Sequence, residues 1–280
     1  MLSSSEGMRP DSYYRKTDKM KSTDPADYQD TPRPIAGMAK QFADGFCTEL
    51  HTHPRAQLTW AASGVMTVTT AQGTWVVPPH RALWVPGGML HMIRMSGSVA
   101  MRGVYIDPDA AKFLGTNCKV IRMSPLLREL VSEIVAAPLD YDESGRIGHV
   151  AALILDEIRT LDAQPLHVPM PRDKRLRTIC TALLQDPGRS ETLEEWSEIA
   201  GASSRTLARL FASETGMRFV DWRHQARLAE ALVRLAQGRD IGSVSRRLGY
   251  ASASAFTAMF RKALGTTPRD YFADPGRGPW

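Results

Sequence analysis

"SSRTLARLFASETG" (Ser203–Gly216) and "SASAFTAMFRKALG" (Ser252–Gly265) are one pattern written twice, 49 residues apart. Leu207 aligns with Phe256, Leu210 with Met259, Phe211 with Phe260 and Gly216 with Gly265. Apolar residues at i, i+3 and i+4 behind a serine place one buried stripe on a helix whose first turn the serine caps. A shorter apolar-periodic segment precedes each copy, with Leu193, Trp196 and Ile199 in the first and Ile241, Val244 and Leu248 in the second. A glycine turn, "AGA" or "GYA", separates the two parts. A short helix, a glycine-containing turn and a second, serine-capped helix is the sequence form of a helix-turn-helix. The chain holds this unit twice.

Burying Leu207, Leu210 and Phe211 leaves Ser204, Arg205, Ala208 and Arg209 on the opposite side of the first repeated helix, behind its cap Ser203. The two arginines are four residues apart and therefore neighbours. A guanidinium can donate two parallel hydrogen bonds to O6 and N7 of guanine in a major groove, a contact worth about 1–3 kcal/mol of discrimination. Two solvated arginines on an ordinary helix are the plainer reading, and the duplicated unit weighs against it. In the second copy the same surface is Ser252, Ala253, Ser254, Thr257 and Ala258, with Arg261 and Lys262 at its far end. Between the units, "RFVDWRHQARLAEALVRLAQG" repeats Trp222, Ala226, Ala229, Leu232 and Ala236 at helical spacing before a stop at Gly238. Some 19 residues at about 1.5 Å each give a rod of roughly 28 Å. Successive major grooves on one face of DNA lie about 34 Å apart, so one chain can reach both if the DNA bends modestly. The charge agrees: residues 172–273 hold 17 Lys+Arg and 11 Asp+Glu, a local +6 in a chain whose formal charge is +5. That basic excess suits a polyanion such as DNA.

The rest of the 280 residues divides by pattern. Hydrophobic residues at 43% and charged residues at 23% mark a globular chain. With no apolar run near the roughly 18 residues of a membrane span and a polar N-terminus, we expect no membrane partner and a cytoplasmic location. Cys47, Cys118 and Cys180 lack any CxxC spacing and read as reduced thiols. Residues 1–33 mix Ser, Asp, Lys, Pro and Tyr without period and read as a flexible tail. Residues 34–110 are short apolar or alternating runs between Gly and Pro, the signature of a small antiparallel β barrel or sandwich. Residues 111–162 switch to helical period, with one stripe of Leu126, Leu127, Leu130, Val131, Ile134 and Val135 and another of Ile147, Val150, Ala151, Ile154, Leu155, Ile158 and Leu161. Two such helices pack on the barrel or pair with a second copy, which makes a homodimer the expected assembly. Residues 163–171, with three prolines in "DAQPLHVPMP", read as an interdomain linker. Residues 172–273 form the helical module, and 274–280 a tail. The fold class is thus α+β: an N-terminal antiparallel barrel with following helices, then an all-α domain of two helix-turn-helix units.

In "GFCTELHTHPRAQLTWAASG" (Gly45–Gly64), His51 and His53 are separated by one residue. On a strand they share a face. They serve as metal ligands, as polar walls of an organic pocket, or as ordinary strand residues, and the three readings stay open. Trp60, Trp75 and Trp84 either wall such a pocket or pack the core.

Two resemblances carry further. Residues 172–273, above all "IGSVSRRLGYASASAFTAMFRKALGTTPRDYF" (Ile241–Phe272), resemble the DNA-binding domain of AraC/XylS transcription regulators. The resemblance implies promoter DNA as partner, RNA polymerase as a further one, and base or phosphate contacts from Ser203, Ser204, Arg205, Ala208 and Arg209 and from Ser252, Ala253, Ser254, Thr257, Ala258, Arg261 and Lys262. An arginine common in the family at Ala258 is missing, so the second helix is expected to anchor phosphates more than to read bases. Gly45, His51, His53, Gln57 and Gly64 fit the first cupin motif at every spacing, with Gln57 in the acidic place. Pro86, Gly88 and His91 fit the second, with His80 for its leading glycine and Met95 for its asparagine. That resemblance implies a cupin-like sensor. By it, His51, His53, Gln57 and His91 either hold one divalent transition metal or, with Trp60, bind a small-molecule effector; the cofactor is left as unknown or such a metal. The neutral Gln57 is a weaker metal donor than a carboxylate. The alternative function is a cupin metalloenzyme, a dioxygenase or isomerase, with an accessory helical domain. "RALWVPGGMLHMIRMSG" and "SAFTAMFRKALG" resemble regulators of drug or nitroimidazole exporters, which implies an efflux transporter gene as target. No catalytic residue is expected.

Overall fold

Short apolar or alternating runs from Ile35 to Ile106, broken by glycine and proline turns, form strands, the continuous runs being those buried on both faces. The computed structural model describes residues 22–161, 163–164 and 166–273. It contains β1 (Ile35–Phe42), β2 (Ala56–Ala61), β3 (Val65–Thr70), β4 (Gly73–Val77), β5 (Arg81–Val85), β6 (Met92–Ser96), β7 (Val99–Ile106), β8 (Lys119–Arg122), β9 (Ala163–Gln164) and β10 (His167–Pro169). They form two antiparallel sheets, one ordered β1-β7-β2-β5-β8-β9 and the other β10-β4-β3-β6. The sheets enclose one core, with Met38, Leu83, Val85, Met101 and Tyr105 from the first and Met66, Val68, Trp75 and Met95 from the second.

The outer face of the six-stranded sheet is apolar as well, because helices cover it. Leu58, Trp60, Trp84, Val104 and Ile106 pack against the stripes of α1 (Pro125–Ala136) and α2 (Arg146–Thr160). The backbone of α1 comes so close that a Cβ built on Gly37 would lie 2.6 Å from the nitrogen of Val135. The stripes therefore face the chain's own barrel rather than a second copy, except at Leu126, which is exposed, as is Leu153 of α2.

Two boundaries differ from expectation. The described part of the N-terminal tail is structured: Pro25–Tyr28 is a 3-10 helix capped by Asp24, and Tyr28 is buried against Tyr105 with ring centroids 6.0 Å apart. The buried Arg55 fastens this strap by donating to the carbonyls of Gln29, Thr31 and Arg33. One aromatic in a polar stretch supplies no period to read, but it supplies enough apolar area to dock. Residues 1–21 and 274–280 lie outside the described residues. The proline-rich 163–171 is likewise no loose linker. β9 pairs with β8 and β10 with β4, so the segment edges both sheets. Proline is tolerated on an edge strand, where its missing N–H breaks no ladder. The Trp222 indole then donates to the Pro169 carbonyl at 2.7 Å, tying the segment to the helical module. Trp222→Phe should cost about 1–2 kcal/mol in urea unfolding, since it leaves that buried carbonyl unpaired.

The module consists of α3 (Lys174–Gln185), α4 (Leu193–Ala200), α5 (Ser204–Thr215), α6 (Phe219–Ala236), α7 (Ile241–Arg247), α8 (Ala253–Leu264) and α9 (Pro268–Ala273). The pairs α4–α5 and α7–α8 are the two helix-turn-helix units, with α6 as the rod between them. That rod lies on the outer face of the four-stranded sheet, where Thr67, Val76, Arg94 and Ser96 face Ala226, Ala229, Glu230 and Val233 across a shallow cleft. The barrel is thus covered on one side by α1 and α2 and on the other by the helix that spaces the two units. At the far end Tyr271 of α9 is buried, and its hydroxyl donates to the Pro79 carbonyl at 3.2 Å.

Candidate functional site

The histidines come together by register. The isolated bridge His51↔His91 brings the first motif beside the second, and β2 and β7 set Gln57 opposite Tyr105. Ring centroids are 4.4 Å apart for His51–His91, 5.1 Å for His53–His91 and 6.2 Å for His51–His53; His53 stands edge-on to Tyr105 at 5.3 Å. His53, Gln57 and His91 are buried, and His51 is half-buried. The turn geometry agrees with the motif too: His80, in the place of the motif's leading glycine, has φ +65°, the left-handed region that glycine enters most cheaply.

Each ring is oriented through the same nitrogen. Nδ1 of His51 bonds the carbonyl of Glu49 at 2.8 Å, Nδ1 of His53 that of Arg55 at 2.5 Å, and Nδ1 of His91 that of Met89 at 2.8 Å. A carbonyl can only accept, so a neutral ring in these bonds carries its proton on Nδ1 and keeps a lone pair on Nε2. Gln57 Nε2 donates to the Tyr105 hydroxyl at 3.1 Å. Burial holds His53 below the usual imidazole range and pushes His91 down to about 4, opposed by the bonds to Arg55 and Met89 and reinforced by neighbouring imidazoles. The His91 pKa in the folded chain lies below its unfolded value of about 6.5, so its contribution to stability is present above that value and lost as pH falls towards 4. On the order of 3 kcal/mol should disappear between pH 7.5 and 4, and urea titrations should show a flatter pH dependence in His91→Phe.

Trp60 does not belong to this cluster. Side chains alternate along β2, so Gln57 and Thr59 point inward while Leu58 and Trp60 point outward, and Trp60 packs beneath α1 and α2. Trp84 shares that outer layer, and Trp75 stacks on His167 at 4.2 Å. Tyr105 belongs to the site and was not among the expected residues. Nor do the donors fit a resident metal as placed: among the described residues no three His, Cys, Asp or Glu side chains form a group that could hold one. The imidazoles are close, but Gln57 supplies no charge and no carboxylate joins them.

The second candidate surface is on the module. Ser203 caps α5 by accepting from the Thr206 N–H, and Ser252 caps α8 by accepting from the Ala255 N–H. Leu207 and Phe211 are buried, as are Phe256 and Phe260, so each helix presents its other side. Arg205, Ala208 and Arg209 are exposed and Ser204 is half-buried. On α8, Ala253, Ser254, Ala258, Arg261 and Lys262 are exposed and Thr257 is half-buried. Arg246 and Arg247 of α7 are exposed beside them, the latter paired with Asp186 at 3.0 Å. α6 has 18 residues, a rod of about 27 Å. Among the described residues no helix is long and apolar enough to cross a membrane.

A family model described as an AraC-like ligand binding domain matches residues 35–220, and one described as a helix-turn-helix domain matches residues 196–274. The HTH-type transcriptional regulator NimR of Escherichia coli K12 is 33% identical over 230 residues, covering 82% of this chain and 84% of that protein. The HTH-type transcriptional regulator RipA of Corynebacterium glutamicum is 34% identical over 217 residues, covering 77% of this chain and 61% of that protein. Among solved structures, fatty-acid-bound ToxT of Vibrio cholerae aligns over 85% of this chain and 94% of its own at 12% identity, with a TM-score of 0.37.

Proposed function

The chain belongs to the AraC family of DNA-binding transcription regulators and carries a ligand-binding N-terminal domain, and on that footing we propose that an organic effector at His51, His53, Gln57, His91 and Tyr105 controls how α5 and α8 meet promoter DNA. Relatives that are themselves transcription regulators answer the alternative of a cupin metalloenzyme. The observation that carries the reading is mechanical continuity. His91 stands at the entry of β6, and the outward residues of β6, Arg94 and Ser96, face α6. A guest that moves His91 moves the strand on which the spacer between the two units rests. It shifts the regulator only by its differential affinity for the two arrangements of that contact.

A second copy meets the chain through the exposed side of α1 and α2, at Leu126 and Leu153, and RNA polymerase is the further partner on the promoter. These events belong to the cytoplasm. The target, on the likeness of residues 81–97 and 254–265 to regulators of drug exporters, is an efflux transporter gene. Fluorescence anisotropy tests the reading at moderate salt with the chain's own upstream DNA and a scrambled duplex, each with and without small molecules extracted from the native cell. Preference for the upstream DNA, changed by the extract, is expected. Equal affinity for both duplexes overturns it.

A further inference from the structure

Resting on the reading of this cluster as the effector site, we propose that its guest is an uncharged organic hydrogen-bond donor, presenting N–H or O–H groups, and not a carboxylate, a phosphate or a metal ion. Three observations converge on that polarity. Every imidazole spends its Nδ1 proton on a backbone carbonyl, so the atom each ring has left to offer is an Nε2 lone pair. Gln57 gives one of its two amide hydrogens to the Tyr105 hydroxyl and keeps Oε1 as an acceptor. Nε2 of His53, Nε2 of His91 and Oε1 of Gln57 make no hydrogen bond with the rings neutral, in residues only 6%, 0% and 3% exposed, although the Gln57 side chain lies close enough to bond His53 once that ring is protonated. Buried acceptors left unpaired cost free energy that a donor recovers and a second acceptor does not.

Charge narrows the class. The ionisable neighbours that act on His53 and His91 are other histidines of the cluster, with no carboxylate among them. An anion would meet the lone pairs of three imidazoles, answered only by the neutral Tyr105 O–H and the second Gln57 N–H. An ammonium ion would lie buried without a countercharge, which costs far more than a neutral N–H or O–H finding its acceptor. Rotating a ring to offer N–H instead would break its bond to the carbonyl of Glu49, Arg55 or Met89. The site is therefore built to select hydrogen-bond polarity before shape.

The probe is a matched pair, aniline and N,N-dimethylaniline, with benzoate and zinc as further arms, added to the full-length chain at pH 7.5. Imidazole 15N spectra of histidine-labelled protein are the readout, because they separate Nδ1 from Nε2. We expect protons on Nδ1 in all three rings. Aniline should shift the Nε2 signals of His53 and His91 saturably at millimolar concentration, and dimethylation should weaken binding at least tenfold. Benzoate should leave both signals in place. His91→Leu should abolish the aniline response with the remaining spectrum intact, and the wild-type comparison decides the matter should that variant unfold. Stronger binding of benzoate or N,N-dimethylaniline, protons on Nε2, or coordination of zinc by the three Nε2 atoms at micromolar concentration would overturn the proposal. Anisotropy with upstream DNA runs in parallel: aniline binding without any change in DNA affinity supports the donor preference and removes the effector reading, whereas benzoate binding that alters DNA affinity does the reverse.

Discussion

Arg205→Ala is expected to lower discrimination between the upstream site and a scrambled duplex by roughly five- to 150-fold, the equivalent of about 1–3 kcal/mol for one bidentate contact to guanine. Arg205 is exposed on a helix whose opposite side is sealed by Leu207 and Phe211, so truncation removes no packing and leaves the fold unchanged. Arg209 lies one turn further on the same face and should behave alike. Arg261→Ala is the contrast. Placed near the end of α8 where a phosphate would pass, it should weaken all duplexes together and reduce the slope of log K against log salt by about 1. Loss of discrimination from Arg261 with none from Arg205 would mean that the second unit reads and the first anchors.

Arg227→Met should destabilise the helical module by about 3 kcal/mol or more, because two charge-assisted hydrogen bonds vanish at once. The buried Arg227 of α6 donates through Nε to the Pro187 carbonyl at 2.8 Å and through Nη2 to the Arg189 carbonyl at 2.9 Å, and its guanidinium lies 5.5 Å from the Tyr250 ring. Pro187 and Arg189 precede the first unit; Tyr250 sits in the turn of the second. The neighbouring Gly249 has φ +71°, and a Cβ built on it would fall 2.5 Å from the Gly188 carbonyl oxygen, so the turn of the second unit touches, backbone to backbone, the loop that leads into the first. Beyond the lower unfolding midpoint, Arg227→Met should lose more affinity for a complete operator than for either half, since what it removes is the fixed angle between the units. Equal losses on half and complete sites would leave Arg227 a purely structural residue.

Much of this arrangement was legible in the chain because it rests on local periods. The doubled stripe at 203–216 and 252–265 is a helical repeat with its own caps, and the structure forms both caps. The spacing of His51, His53 and His91 anticipates a cluster, and even the departure at His80 agrees with a turn that needs positive φ. Trp60 was misplaced although parity was available: three residues beyond Gln57 on one strand is the opposite face. Other features have no local signal. Tyr28 is one aromatic in a polar stretch, Tyr105 meets Gln57 only through a pairing 48 residues away, and Arg227 finds its acceptors 38 and 40 residues back. The prolines of 163–171 suit an edge strand as well as a linker, and sequence alone does not choose between them.

In the proposed complex one chain lays α5 and α8 into adjacent major grooves with α6 as the spacer. Guanine-methylation interference on the bound upstream site tests it most directly. Two patches of interference are expected on one face of the duplex, centred about 10 base pairs apart, with the patch facing α5 weakened in Arg205→Ala. A single patch, or two patches on opposite faces of the duplex, would contradict it.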